Sequence, residues 1–76
     1  MNEEMQMSLK TARTYAGLTQ QEIAEKLNMD RNSYRRYEKY RIPMRIDTAV
    51  EFCKITGVEM DNVIFLPNDY TSSVVK

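Results

Sequence analysis

Residues 19–38 contain two short helical patterns separated by a three-residue break. Thr19 is a favourable N-cap, and Glu22 three positions later completes a capping box, in which each residue accepts the other's backbone N–H. Apolar residues follow at helical spacing: Ile23, Ala24 and Leu27. Residues 28–30 interrupt the pattern, because asparagine tolerates a left-handed backbone and Asp30 is a second N-cap. The stretch therefore predicts two helices joined by a tight turn.

The second of these helices, residues 31–39, presents two different faces at about 100° per residue. Its outer face carries five basic or amide side chains: Arg31, Asn32, Arg35, Arg36 and Lys39. Tyr34 and Tyr37 lie on the opposite face. In the major groove of DNA, arginine can donate two hydrogen bonds to guanine, and asparagine can bond adenine. A solvated charged surface with tyrosines at the core edge is the alternative, and helical spacing alone leaves both open.

Residues 19–38 resemble the helix-turn-helix of the phage repressor/Cro class, also called the XRE family. The resemblance rests on the opening residues, the turn spacing, the apolar positions and the final glutamate: Thr19, Gln20, Glu22, Ile23, Ala24, Leu27, Tyr34, Tyr37 and Glu38. It extends to a first helix from Leu9 to Leu18, a fourth over residues 46–58 and a fifth over residues 60–65. It implies an all-α fold, a compact bundle of five short helices like the lambda-repressor domain.

The resemblance also implies roles for individual residues. Four side chains of the second motif helix would contact base edges: Arg31, Asn32, Arg35 and Arg36. Six residues would contact phosphates: Thr19, Gln20, Lys39, Tyr40, Arg41 and Arg45. Arg13 and Glu38 would form a structural pair that sets helix register, the alternative being a free surface arginine. The chain departs from the family at Tyr40, where glycine is usual, so this tyrosine either donates to a phosphate or packs.

The distribution of charge favours DNA more than the total does. The chain of 76 residues has a net charge of zero and a pI of about 6.2, whereas DNA-binding domains are usually basic. Residues 31–45 nevertheless carry six basic residues against Glu38 alone. The field at the binding face matters more than the net charge, although the acidic remainder should weaken non-specific binding.

Several classes of function are excluded by composition. One cysteine, Cys53, and no histidine rule out an internal disulfide, the usual zinc spacings and a histidine-activated nucleophile. The two glycines are isolated, so no phosphate-binding loop is present. We therefore predict no catalytic residue, metal, cofactor or small-molecule substrate. No apolar run of roughly 18 residues or signal core is present, so we expect no membrane contact and a cytoplasmic location.

We predict three segments: a flexible N-terminal extension at 1–7, a helix-turn-helix DNA-binding domain at 8–66 and a C-terminal tail at 67–76. Ser8 caps the first helix, and the glycines at 17 and 57 end the first and fourth helices. In the fourth helix, an apolar face is predicted with Phe52 at its edge: Ile46, Ala49, Val50 and Cys53.

The predicted function is that of a sequence-specific DNA-binding transcriptional regulator. The resemblance implies a repressor of phage or mobile-element type that binds a palindromic operator in double-stranded DNA as a homodimer. The expected pairing surface is the apolar end of the domain, with completion of the monomer core as the alternative: Val63, Ile64, Phe65 and Leu66. Two other functions stay open. One is an antitoxin-like or other protein-interaction module, and the other is a restriction-modification controller protein.

Overall fold

The computed structural model describes residues 6–66, and within that range the secondary structure is helical. The four α-helices are α1 (Leu9–Tyr15), α2 (Gln20–Lys26), α3 (Arg31–Glu38) and α4 (Ile46–Thr56), followed by a 3₁₀ helix at Met60–Asn62. Helix α2 packs against α3, and α1 contacts both α3 and α4. The predicted all-α class is confirmed. The predicted tail at 67–76 and most of the predicted extension, residues 1–5, lie outside the described residues.

The first three helices begin at the residues that the sequence indicates. The Ser8 hydroxyl accepts a backbone N–H from the first turn of α1 at 3.1 Å. At α2, the Glu22 N–H donates to the Thr19 hydroxyl at 3.0 Å, and the Thr19 N–H donates to the Glu22 carboxylate at 2.9 Å. At α3, the Asp30 carboxylate accepts the N–H of Ser33 at 3.3 Å. Because these partners lie within three residues of each other, each cap forms from local sequence alone.

A single core lies between the helices. Its buried members come from α1 to α4 and from the segment after α4: Leu9, Ala12, Ile23, Ala24, Tyr34, Phe52, Val58 and Val63. Tyr37 and Leu27 are half-buried against it. Tyr34 is the largest of the completely buried side chains, so α3 is held on the core by its tyrosine face. The opposite face of α3 is thereby turned outward.

The predicted fifth helix is wrong in extent. Only Met60–Asn62 is helical, as one 3₁₀ turn, and Val63 is extended with φ −116° and ψ 135°. Val63 forms a parallel bridge with Met7, in which the Met7 N–H donates to the Asn62 carbonyl and the Ile64 N–H donates to the Met7 carbonyl, both at 2.7 Å. These bonds take backbone groups that a longer helix would use. They also tie Met7, which the sequence places in the flexible extension, to the folded domain.

The buried face of α4 is rotated relative to the predicted one. Ala49 is buried as predicted, but Phe52, expected at the edge, is completely buried, and Thr56 is buried with it. The Phe52 ring packs edge-to-face on Phe65, with ring centroids 6.4 Å apart. The Thr56 hydroxyl donates to the Phe52 carbonyl at 2.9 Å, which satisfies its polar atom inside the core. Ile46, by contrast, is 73% exposed.

Tyr40 is a structural residue of the domain. Its backbone is left-handed, with φ 58°, one residue beyond the C-cap of α3. Its hydroxyl accepts the Leu9 N–H at 3.1 Å and donates to the Ile64 carbonyl at 2.6 Å. Both bonds point into the domain, so the structure supports packing for Tyr40 in place of the predicted phosphate contact. The two bonds offset the cost of the left-handed backbone.

Removing the Tyr40 hydroxyl should destabilise the domain. Tyr40→Phe keeps the ring but leaves a part-buried N–H and a part-buried carbonyl without their partner, which we expect to cost about 1–3 kcal/mol in the free energy of unfolding. Urea unfolding followed by circular dichroism measures this. Tyr15→Phe is the control, because Tyr15 is 71% exposed. Equal stability of the two variants would contradict the role of the hydroxyl.

Candidate nucleic-acid interface

The carboxylate of Glu38, the last residue of α3, collects donors from three helices. Arg13 of α1 donates from Nε and pairs with it as a salt bridge. Gln20, the first residue of α2, donates from Nε2 at 3.0 Å. Tyr34 donates its hydroxyl at 2.8 Å from one turn earlier in α3. Arg13 also donates from Nη1 to the Leu18 carbonyl at 2.8 Å, so the cluster joins α1, the loop after it, α2 and α3.

The electrostatics of this cluster keep Glu38 ionised. Burial by itself would raise the pKa of the carboxyl, but the hydrogen bonds from Arg13, Gln20 and Tyr34 together lower it below its ordinary value. Burial, followed by the Glu38 carboxylate, raises the pKa of the Tyr34 phenol far above its usual range. The phenol therefore stays protonated and keeps donating. The ionised carboxylate therefore keeps its bonds to Arg13 of α1 and Gln20 of α2, which hold both helices against α3.

The outer face of α3 and the loop after it form a band of basic side chains. Five residues line a shallow depression of about 330 Å³: Asn32, Arg35, Arg36, Lys39 and Arg41. An adjoining depression shares Arg35 and Lys39 with the first and reaches Gln20 and Lys10. Within residues 6–66, none of these cations forms a salt bridge with an acidic side chain. The band is therefore an electropositive surface with a single amide, Asn32, within it.

Lys10 is a candidate that the sequence does not reveal. It is exposed on α1 and lines the depression at the start of α2, beside Gln20 and Lys39. Lys39 lies in a distant part of the chain, and only the packing of α1 on α3 brings the two cations to one surface. No local pattern marks Lys10, since an exposed lysine on a helix is ordinary.

The remaining predicted site residues take different positions. Arg31 is exposed at the start of α3, outside the two depressions. The Thr19 hydroxyl accepts a cap bond and retains its own proton to donate. Gln20 donates its amide N–H to Glu38 and lines the second depression. Arg45 donates to Asp47 from Nε and Nη2, both at 3.3 Å, in an exposed pair at the start of α4. The structure therefore groups Lys39 and Arg41 with α3 and separates Arg45 from them.

Other kinds of site find little support in the described part of the chain. Between residues 6 and 66, cysteine and acidic side chains form no cluster of three or more that could hold a metal ion. In the same range, the helices are too short and too polar for any of them to cross a bilayer.

Comparison with known proteins gives one match. A family model described as helix-turn-helix matches residues 9–63, which include all four α-helices and the 3₁₀ helix. No curated protein and no solved structure matches the chain.

Loss of the Glu38 charge should change the pH dependence of stability. The folded pKa of Glu38 lies below its ordinary value of 4.5, so its contribution is present at neutral pH and is lost as the pH falls through the lowered value. Glu38→Gln should lower the free energy of unfolding at pH 7 by about 3 kcal/mol or more, because Arg13 is left as an unpaired buried charge. It should also give a shallower decline of stability below about pH 5.

Urea unfolding at a series of pH values measures both effects. Glu51→Gln, an exposed glutamate on α4, is the matched control and should keep the wild-type profile. Some slope should persist in Glu38→Gln, because hydrogen bonds also lower the pKa of Asp30 and Asp47. An unchanged slope would show that the Glu38 cluster does not govern acid sensitivity.

Proposed function

Because the chain belongs to the XRE-type helix-turn-helix family of DNA-binding regulators, we propose that it is a sequence-specific transcriptional repressor that inserts α3 into the major groove. The observation that carries this proposal is the basic band on the outer face of α3. Its side chains project opposite the buried Tyr34, so α3 can be held by the core and contact DNA at the same time. The mechanism requires only occupancy of the operator, with no chemical step.

Base contacts are assigned to the middle of the band. Arg36 and Asn32 are exposed, lie one turn apart on α3 and line the same depression. Arginine suits guanine and asparagine suits adenine in the major groove. Arg35 is half-buried beside them, and Arg31 is exposed at the N-terminal end of the helix. In this proposal, the Glu38 cluster holds α3 at a constant angle while these side chains contact base edges.

Phosphate contacts are assigned to the residues around Lys39. Lys39 and Arg41 follow α3 and are exposed. Lys10 and Gln20 line the depression beside Lys39, together with the Glu38 side chain, and Thr19 caps α2 next to Gln20. Arg45 stays a further candidate, since its pair with Asp47 is exposed and gains little stability from that partner.

A homodimer on a palindromic operator completes the proposal. One helix in one groove covers only a few base pairs, which is too little to select a site in a genome. A two-fold dimer doubles the contacts and places half-sites about one helical turn apart, ~10 base pairs. The near-neutral total charge adds to this need, because the chain has little surplus charge for non-specific attraction.

Selection of bound duplexes from a random pool tests the function directly. We expect the wild-type protein to enrich one motif arranged as an inverted repeat. Enrichment of nothing would reject sequence-specific binding and favour a protein-interaction module. Enrichment of a single unrepeated motif would retain DNA recognition and reject the palindrome.

Base contacts predict a loss of specificity in two variants. Arg36→Ala and Asn32→Ala should each weaken binding to the enriched duplex by about 1–3 kcal/mol and relax the preference at one base pair. The affinity for random duplex should change much less. Lys26→Ala is the control, since Lys26 is exposed at the end of α2 outside the basic band. Equal losses on selected and random DNA would contradict base contact.

Phosphate contacts predict a change in salt dependence. Lys39→Ala and Arg41→Ala should weaken all duplexes similarly and should each reduce the slope of log affinity against log salt by roughly one unit. Titrations at several salt concentrations give the slope, again with Lys26→Ala for comparison. A slope identical to that of the wild type would place the loop after α3 away from the DNA.

A further inference from the structure

Helix α4 has a second apolar face that residues 6–66 leave partly exposed. At about 100° per residue, Ile46, Val50, Cys53 and Gly57 fall on one stripe, next to the buried face. Ile46 is 73% exposed and Val50 is 37% exposed. Beyond the stripe, Met60 is 38% exposed and closes a groove of about 370 Å³ with mainly apolar walls. Large exposed apolar side chains gathered on one face are typical of an interaction surface.

The apolar end of the domain is a poorer candidate for such a surface. Val63 is buried, and Ile64 and Phe65 are half-buried, with the Phe65 ring packed on Phe52. Leu66 alone of these residues is strongly exposed, at 47%. Residues 63–65 therefore pack in or against the monomer core, which was the alternative to the predicted pairing surface.

We propose that the stripe on α4 pairs antiparallel with α4 of a second copy of this chain, an inference that rests on the dimeric repressor proposed above. The charges on the rim of the stripe identify the occupant. Asp47 and Lys54 lie on the same side of the stripe, two turns apart, and both are exposed. The contact of Asp47 with Arg45 is a weak exposed pair that leaves the carboxylate accessible. A two-fold axis beside Val50 and Glu51 places Asp47 of each copy opposite Lys54 of the other. Both Asp47–Lys54 contacts are then attractive, and Glu51, which lies further round the helix from the stripe, does not face its counterpart.

The same two-fold axis also places a protruding side chain of each copy opposite a groove in the other. It brings the exposed Ile46 of each copy to the level of Cys53 and Gly57 in the other, where the apolar groove lies. In a parallel two-fold pair, Asp47 and Lys54 of one copy would instead lie across the seam from the opposite rim of the other copy, and neither attractive contact would form. A partner of one charge sign would be repelled by one of the two rim residues. A second copy in antiparallel orientation would cover the apolar stripe, place an isoleucine in the groove and pair Asp47 and Lys54 with opposite charges.

The geometry leaves the basic band free for DNA. Helix α4 packs on α1 and on the 3₁₀ helix, whereas the band lies on α3 and the loop after it. An 11-residue helix offers less contact than a standard interface of about 1,200–2,000 Å². Pairing should therefore be weak for the free protein and stronger when two half-sites hold the copies side by side.

Sedimentation over a wide concentration range, with and without a selected inverted-repeat duplex, tests the proposal. Ile46→Glu should raise the dimer dissociation constant at least about tenfold, because it puts a charge into the groove. Leu66→Glu is the matched control, because it puts the same charge on another exposed apolar residue. Its dimer dissociation constant should stay within about twofold of the wild-type value. Ile46→Glu should still bind a duplex containing one half-site with wild-type affinity, which separates loss of pairing from loss of DNA recognition.

A charge exchange tests the antiparallel orientation. Lys54→Asp should raise the dissociation constant about threefold to tenfold, and the double change Asp47→Lys, Lys54→Asp should restore it to within about twofold. Thermal unfolding of each variant, followed by circular dichroism, shows whether α4 is intact. A folded double variant that dimerises no more tightly than Lys54→Asp would overturn the antiparallel pairing.

The first pair of variants tests the assignment to α4. If Leu66→Glu weakens dimerisation and Ile46→Glu does not, the pairing surface is not α4. A wild-type monomer on the inverted repeat would reject this surface together with the dimer, while specific DNA binding would stand.

Discussion

The contact on which the arrangement of the first three helices depends is the buried carboxylate of Glu38. A carboxylate removed from water is costly unless donors surround it, and here Arg13, Gln20 and Tyr34 approach it from three directions. Arg13 belongs to α1 and Gln20 to α2, whereas Tyr34 lies in α3 itself, one turn before Glu38. The Gln20 bond joins α2 to α3 and the Arg13 bond joins α1 to α3, so a large rotation of α3 against either helix would break one of them. The cluster therefore determines orientation more than it adds stability, which is the property that a DNA-contacting helix needs.

A second anchor lies just beyond α3, at Tyr40. Its hydroxyl joins the N-terminus of α1 to the segment after the 3₁₀ helix, through Leu9 and Ile64. The backbone bridge between Met7 and Val63 lies beside it and closes the same region. The loop that carries Lys39 and Arg41 therefore leaves α3 from a fixed point on the core. In a family where this position usually holds glycine, the tyrosine supplies a connection through its side chain while still adopting a left-handed backbone.

Helix α4 differs from the other helices because it is apolar on two faces. One face packs into the core through Phe52, and the other presents Ile46 and Val50 to the surface. In the function proposed above, the basic band on α3 would contact DNA and this second face of α4 would pair with a second copy of the chain.

The local sequence was sufficient to predict where the first three helices begin and which side chains share the outer face of α3. The capping residues act within three positions, and a regular helix determines which side chains share a face, so Arg35, Arg36 and Lys39 could be placed beside Asn32 without tertiary information. The family resemblance added the partnership of Arg13 and Glu38, which spacing alone would have left as one of two possibilities.

Contacts between residues distant in the sequence decided the conformation of the segment 60–65 and the positions of Tyr40 and Lys10. The segment 60–65 has an apolar pattern that a helix could satisfy, but Met7 supplies backbone partners to Asn62 and Ile64, and the chain becomes extended there. The partners of Tyr40 are 31 and 24 residues away, and Lys10 joins the basic band only through the packing of α1. Apolar periodicity shows which residues can be buried, and by itself it does not show which remote backbone group will meet them. That choice depends on the free energy of the whole packed domain, in which each buried polar group must find its partner.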